Sequence, residues 1–298
     1  MRAHRILCPV DFSDPSRRAL HYAAALAARE GARLHVLYVV PAPMPLPVPI
    51  LMLAARSTII DAATSAAEAL DAFVAQAELP QVPVTMVREG PPVDAILACA
   101  AEIAADLIVL GSHGRDGLGH LLFGSTAERV LHKAPCPTLI VPLHAAEPAS
   151  VGGVRFRRLV CAVDFSPAST RALGLALSMA QEHGAELTVL SVVDGTIDED
   201  QEAALPPAVR AHADERLRTA RRRLHDALPG DASARCTILE VVRQGRPAHA
   251  IPLEAAERDA DLIVLGAHGH RGLGLLGIGS TTHAVVCRAA CPVLTTRP

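Results

Sequence analysis

The chain has 298 residues, 50% hydrophobic and 20% charged, with 28 Lys and Arg against 31 Asp and Glu for a net charge of −3. At one domain per ~100–200 residues the length suits two domains, and the apolar content supplies a sizeable core and argues against disorder. A duplex-binding protein shows a basic excess and a single-strand binder shows stacking aromatics; this chain has neither, with no Trp, two Tyr and five Phe.

In chain order, Arg5–Val10 is predicted as a short apolar strand, and Asp14–Arg29 as a helix with an Ala-rich face. Leu34–Val40 is a second strand. Pro41, Pro43, Pro45, Pro47 and Pro49 force the next stretch to be extended, because each Pro disfavours helix in the residue before it. Ala54–Ala77 reads as a long helix, Val82–Val87 as a strand, and Val93–Ala105 as a helix entered through Pro91 and Pro92. Leu107–Leu110 is uninterruptedly apolar, the mark of a strand buried on both faces. Ser125–Lys133 is a helix and Thr138–Val141 a last strand. Strict alternation of strand and helix argues the α/β class: an open, parallel, five-stranded sheet with helices on both faces.

The pattern is written twice. Arg5-Ile-Leu-Cys-Pro-Val-Asp-Phe-Ser13 returns as Arg158-Leu-Val-Cys-Ala-Val-Asp-Phe-Ser166, and Gly31-Ala-Arg-Leu-His-Val-Leu-Tyr-Val-Val40 as Gly184-Ala-Glu-Leu-Thr-Val-Leu-Ser-Val-Val193. Asp106-Leu-Ile-Val-Leu-Gly-Ser-His-Gly114 returns as Asp261-Leu-Ile-Val-Leu-Gly-Ala-His-Gly269, and Cys136-Pro137 as Cys291-Pro292. This is a tandem duplication, with domains over 1–145 and 154–298. The linker from His144 to Gly153 is rich in small residues and reads as an exposed boundary.

In an open parallel sheet, ligands bind outside the carboxyl ends of the strands, where strand order reverses. The first strand ends in an acid, Asp11. The fourth ends in Gly111-Ser112-His113-Gly114, and nine residues later Gly124-Ser125-Thr126 opens a helix. The second half gives Gly266-Ala267-His268-Gly269 and then Gly279-Ser280-Thr281. A chance match to G-x2-G-x9-G-[ST] is expected about 0.01 times in a chain of this composition. The chemistry indicated is anion binding. Glycines allow close backbone approach, the helix start offers orphan N–H groups and a favourable dipole, and Ser125, Thr126 and Arg115 add donors. Ser125-x-x-Glu128 also has capping-box spacing, so the helix start has a purely structural reading as well.

On these motifs nearly the whole chain resembles a tandem universal stress protein. The resemblance implies two Rossmann-like domains of the adenine nucleotide α-hydrolase type. The glycine signature is that family's ATP-binding pattern, and the Val-Asp-Phe-Ser strand end is its companion. It implies ATP as cofactor, with or without Mg. Asp11 with Val39, and Asp164 with Val192 in the second half, would hold the nucleoside end, and Pro9 would be a further cofactor-binding residue. Gly111, Ser112, His113, Gly114, Arg115, Gly124, Ser125 and Thr126 would hold ribose and phosphates, matched by Gly266, Ala267, His268, Gly269, His270, Gly279, Ser280 and Thr281. The expected function is a stress-response regulator or sensor acting through nucleotide-dependent conformation or partner binding. The alternatives are a scaffold with another ligand or none, and a slow ATPase.

The halves are unequal: Pro9 becomes Ala162, Arg115 becomes His270 and Glu128 becomes His283. A fixed cation beside phosphate is worth about 1–3 kcal/mol, so the second site is expected to bind more weakly unless Arg271 compensates. Gly119-x4-Gly124-Ser-Thr lacks the lysine of a P-loop, which argues for binding with slow or no hydrolysis. Gly272-x-Gly274-x-x-Gly277 follows the wrong strand for a dinucleotide fingerprint. Seven cysteines without a CxxC argue against a disulfide framework, and Cys287 and Cys291 read as core thiols rather than metal ligands. Without an apolar leader or a proline-free apolar span, a cytoplasmic protein is expected, with neither nucleic acid nor membrane as partner. The β-branched last strands look like sheet edges, open to pairing between the halves as an intramolecular pseudo-dimer or between chains as a homodimer.

Overall fold

The structure is a computed structural model that describes residues 3–41, 51–112, 123–143, 145–146, 154–195, 207–230, 236–267 and 279–297, without the side chains of 51–63 and 207–210. The proline-rich stretch, His113, Gly114, Arg115, His268, Gly269, His270, Arg271 and most of the linker lie outside the described residues. The chain divides into two compact units, Arg2–Val154 and Arg155–Pro298.

The first unit runs β1 (Arg5–Val10), α1 (Asp14–Glu30), β2 (Arg33–Val40), α2 (Leu51–Gln76), β3 (Val84–Glu89), α3 (Pro92–Glu102), β4 (Leu107–Gly111), α4 (Ser125–Lys133) and β5 (Thr138–Val141). Its strands pair in parallel in the order β3-β2-β1-β4-β5. The second unit runs β6 (Arg158–Val163), α5 (Pro167–His183), β7 (Glu186–Val193), α6 (Pro207–Asp226), β8 (Ile238–Gln244), α7 (Pro247–Glu257), β9 (Leu262–Gly266), α8 (Ser280–Arg288) and β10 (Val293–Thr296). Its order is β8-β7-β6-β9-β10, again parallel. Right-handed crossovers place the first two helices of each unit on one face of the sheet and the last two on the other. The last two touch each other in both units.

Local chemistry explains the elements. Helix α1 is capped by Ser13, whose side chain accepts from the Ser16 N–H, and is ended by Gly31 at φ 67°. Ser166 and Gly184 at φ 60° do the same for α5. The Leu-Ile-Val-Leu runs of β4 and β9 are buried throughout. Asp106 Oδ2 accepts the N–H groups of His4 and Arg5 at 2.8 and 2.9 Å, which fixes the start of β1 against the start of β4. Asp261 accepts from Arg157 and Arg158 in the same way.

Three departures from the sequence reading have a visible cause. Strand β3 starts at Val84, because Pro83 has no N–H to give the ladder and Val82 is left 96% exposed. Helix α3 stops at Glu102, because Ala104 turns left-handed at φ 45°, as Asp259 does after α7. The linker is not wholly exposed: Ala145 is buried, and α1 holds the segment through Arg18 to the Ala145 carbonyl, Tyr22 to Ala146 (2.7 Å) and Arg29 to Val154 (2.9 Å).

Cys8 and Cys161 are fully buried in β1 and β6; burial pushes the Cys8 thiol up and that of Cys161 to about 12, so both are inert thiols. No helix among the described residues is long and apolar enough to cross a membrane. His35 on β2 is buried, and neither ring nitrogen has a partner among the described residues. Burial, then the charges of Arg33 and Arg5, holds its pKa below the ordinary 6.5. The unfolded chain therefore takes up this proton first, and stability is lost as pH falls below the ordinary imidazole range. His35→Leu should flatten the fall in urea-unfolding free energy between about pH 7 and 5 relative to wild type, with no loss at neutral pH.

Candidate functional site at the strand ends

Strand order reverses between β1 and β4 in the first unit and between β6 and β9 in the second. At this end the register sets out a row. Val10 pairs with Tyr38, so Asp11 stands one step on, level with Val39. Leu7 pairs with Ile108, and one-for-one continuation brings Val10 to Gly111 and Asp11 to Ser112. The second unit places Val192, Asp164 and Ala267 in the equivalent row.

Asp11 turns the chain before it holds anything. Its Oδ1 accepts the Ser13 N–H at 3.1 Å and the Ser13 hydroxyl, which closes a turn over Phe12 in the left-handed region at φ 66°. Asp164, Ser166 and Phe165 (φ 64°) repeat it, with Ser166 N–H to Asp164 Oδ1 at 3.0 Å. A non-glycine residue held there costs about 1–2 kcal/mol, so the turn is imposed by its surroundings. The repeated Asp-Phe-Ser string is thus a backbone device that also places a carboxylate at the switch point.

Gly111 has a role that the sequence reading assigned to ligand approach. Its φ is not positive; a Cβ there would lie 2.8 Å from the Pro15 carbonyl carbon and oxygen. At Gly266 a Cβ would meet the Ala168 carbonyl carbon and the Ser169 nitrogen at 2.8 Å. These glycines let the end of β4 or β9 lie on the first turn of the unit's first helix.

The helix after each glycine loop is anchored to the row. Ser112 takes its N–H to Val141 O at 3.0 Å, and Gly124 donates to Ser112 O at 2.8 Å. In the second unit Ala267 donates to Thr296 O at 2.8 Å, and Gly279 to Ala267 O at 3.2 Å. Thr282 adds a hydroxyl bond to Gly266 O at 3.0 Å. The N-caps are Gly124 and Gly279, and neither helix has a side-chain cap. The capping box expected from Ser125 and Glu128 is not formed, because Ser125 is already the first helical residue. The N–H groups at the starts of α4 and α8 remain uncommitted to any side-chain cap.

The structure therefore brings Asp11, Val39, Gly111, Ser112, Gly124, Ser125 and Thr126 to one end of the first sheet, with Pro9 lower in β1. It does the same for Asp164, Val192, Gly266, Ala267, Gly279, Ser280 and Thr281 in the second unit. Two further glycines at this end went unnoticed. Gly90 and Gly245 take φ of 128° and 137° and donate to Val40 O and Val193 O, both at 3.0 Å. The signal was present as a further repeated string, Arg88-x-Gly90-x-Pro92 and Arg243-x-Gly245-x-Pro247. Cys287 Sγ lies 3.9 Å from His283 Nδ1, and Cys291 is buried. No His, Cys, Asp and Glu cluster fit for a metal occurs among the described residues.

The universal stress protein family model matches residues 2–142 and again 155–297. A universal stress protein of Mycolicibacterium smegmatis is 30% identical over 200 residues, covering 66% of this chain and 64% of that one. One from Thermus aquaticus is 36% identical over 137 residues, 46% of this chain and 96% of its own. The crystal structure of an Archaeoglobus fulgidus universal stress protein superposes with a TM-score of 0.62 at 21% identity, covering 98% of this chain and 96% of that one. The alignments span 64% and 62% of the lengths of the Mycolicibacterium smegmatis and Mycobacterium bovis relatives. The chain belongs to the universal stress protein family, with the family domain present twice.

The close contact at the strand ends can be tested directly. Gly111→Ala and Gly266→Ala should each destabilise by about 1–3 kcal/mol, because the new methyl meets backbone rather than a movable side chain. Gly174→Ala, where nothing lies within 4 Å of the added carbon, should not destabilise. Thermal unfolding of the three variants checks this.

Proposed function

We propose that each unit binds a nucleoside triphosphate, ATP by the family's pattern, at the end of its sheet, and that the protein acts as a nucleotide-dependent regulator. The observation that carries the reading is the pair of uncapped helix starts tied to the switch point through Gly124 and Gly279. Helices α1 and α5 have serine caps; α3 and α7 also lack a side-chain cap, but open on Pro92 and Pro247, which removes one N–H from each helix start. Among the described residues of this set, only α4 and α8 combine the lack of a side-chain cap with hydroxyls at the first two positions, Ser125-Thr126 and Ser280-Thr281. That donor set fits a phosphate chain. The carboxylates of Asp11 and Asp164 in the middle of the row fit the hydrogen-bond donors of a nucleoside.

The reading is tested by giving the helices the cap they lack. Gly124 and Gly279 have φ of −61° and −55°, which any residue adopts. Gly124→Asp with Gly279→Asp should leave stability equal or slightly raised, since Asp is a good N-cap. It should weaken ATP binding at least tenfold, because the new carboxylate occupies the N–H groups and repels phosphate. Calorimetric titration of the full chain with ATP, beside thermal unfolding, measures both. Unchanged affinity in a folded double variant, or no nucleotide binding by wild type, overturns the reading.

A further inference from the structure

The amino end of the first sheet gathers positive charge that the second unit neutralises. Arg5 on β1 stands directly opposite Arg33 on β2, and Leu7 opposite His35. Residues two apart on a strand share a face, so both arginines and His35 lie on one face of the sheet. Helix α3 covers that face: Arg88, level with Val39 and so on the same side, reaches Glu102 of α3 at 2.8 Å.

Like charges set directly opposite on neighbouring strands repel, so the pair is unfavourable as it stands. The second unit is built the other way. Arg158 stands opposite Glu186, with Thr188 in the place of His35, and Arg158 also bonds Asp259 at 3.4 Å. In the first unit Arg33 takes the place of Glu186 and Ala104 that of Asp259. Every one of these exchanges removes negative charge or adds a basic group around Arg5. Among the described residues neither Arg5 nor Arg33 makes a side-chain ion pair. Asp106, at the same end, gives its Oδ2 to the N–H groups of His4 and Arg5.

The two exposed arginines form a rim and His35 the floor beside it. The imidazole is 8% exposed, and neither ring nitrogen has a partner among the described residues. A polar ring buried in that way costs free energy until something meets its N–H. After burial, the charges of Arg33 and Arg5 are what hold its pKa down, so the ring stands within the field of both guanidiniums. A tetrahedral oxyanion satisfies all three groups at once. It neutralises the facing guanidiniums, whose planar forks match its oxygens, and it accepts the ring N–H that the fold leaves unmet. We propose that Arg5, Arg33 and His35 form a binding site for a phosphate-type dianion, in the first unit alone and at the end of the sheet opposite the strand-end row. The site does not depend on the nucleotide reading above.

The test reads the His35 ring directly, by nuclear magnetic resonance of the full chain with isotope-labelled histidine. The His35 signal is assigned by its loss in His35→Thr, the residue that the second unit carries. Inorganic phosphate, set against chloride at equal ionic strength and constant pH, should shift this signal saturably. Arg33→Glu rebuilds the arrangement of Arg158 and Glu186 and should raise the half-saturating phosphate concentration at least about tenfold; Arg5→Gln should raise it about 3- to 10-fold. Thermal unfolding without phosphate checks that both variants fold, and Arg33→Glu should raise the melting temperature at low salt and less so at high salt. Phenyl phosphate, titrated in parallel, separates a phosphate group carried on a larger molecule from the free ion, and saturable binding of either supports the site. A His35 signal that neither compound moves more than chloride does overturns the proposal. So does half-saturation that stays within about twofold of wild type in both folded variants, which would place the bound phosphate elsewhere.

Discussion

The strand-end architecture depends on a missing atom. Because Gly111 and Gly266 have no Cβ, the last residue of β4 or β9 can lie on the backbone of the first turn of α1 or α5. Each contact joins the parts that a switch-point site needs. The turn after β1 or β6 sets the carboxylate, the first helix departs from that turn, and the fourth strand carries the residue that anchors the next helix. With a methyl in that place the helix turn and the strand end must separate, and the row of Asp11, Val39 and Ser112 separates with them. A glycine chosen for backbone packing thus sets the geometry in which other residues can meet a ligand.

Two carboxylates per unit hold the register from opposite ends. Asp106 and Asp261 accept pairs of N–H groups at the bottom of the sheet. Asp11 and Asp164 brace the turn at the top. Parallel pairing advances one residue for one, so alignment fixed at the base is transmitted to the row at the other end. This explains why the most nearly identical repeated string, opening at Asp106 and Asp261, unites a structural acid, a buried strand and the start of the glycine loop.

Much of this was legible in the sequence because the repeated strings carry chemistry that acts locally. Leu-Ile-Val-Leu reads as a strand covered on both faces, and its alternation with Ala-rich helical stretches gives the parallel α/β sheet. The glycine signature pointed to the strand end, but it could not show that Gly111 also has a packing role, since the crowding there comes from Pro15, nearly a hundred residues away in sequence. The capping box failed for a related reason. Spacing alone cannot say whether Ser125 stands before the first helical residue or is that residue; the bond from Gly124 to Ser112 decides it. Gly90 and Gly245 were missed because their repeat, Arg-x-Gly-x-Pro, matches at only three spaced positions, and only the φ of the glycine shows what it is for.

The halves diverge where side chains, rather than backbone, do the holding. Arg243 on β8 clasps the fully buried Glu254 and also Glu257, and Arg258 adds a bond to Glu254 at 2.8 Å. In the first unit Cys99 stands where Glu254 does, leaving Arg88 its bond to Glu102 at 2.8 Å. His35 becomes Thr188, and Ala127 becomes Thr282 with its added bond to Gly266 O. Both units keep the backbone-to-backbone bonds of Gly124 and Gly279 and the two close glycine contacts through these exchanges, and Thr282 only adds a bond beside them. After duplication a side-chain network can be replaced in parts, because each part adds only its own increment of stability. A glycine in van der Waals contact with backbone has no substitute, so both copies keep it. The strand-end frame therefore survives in each unit while the groups around it are free to tune the two sites differently.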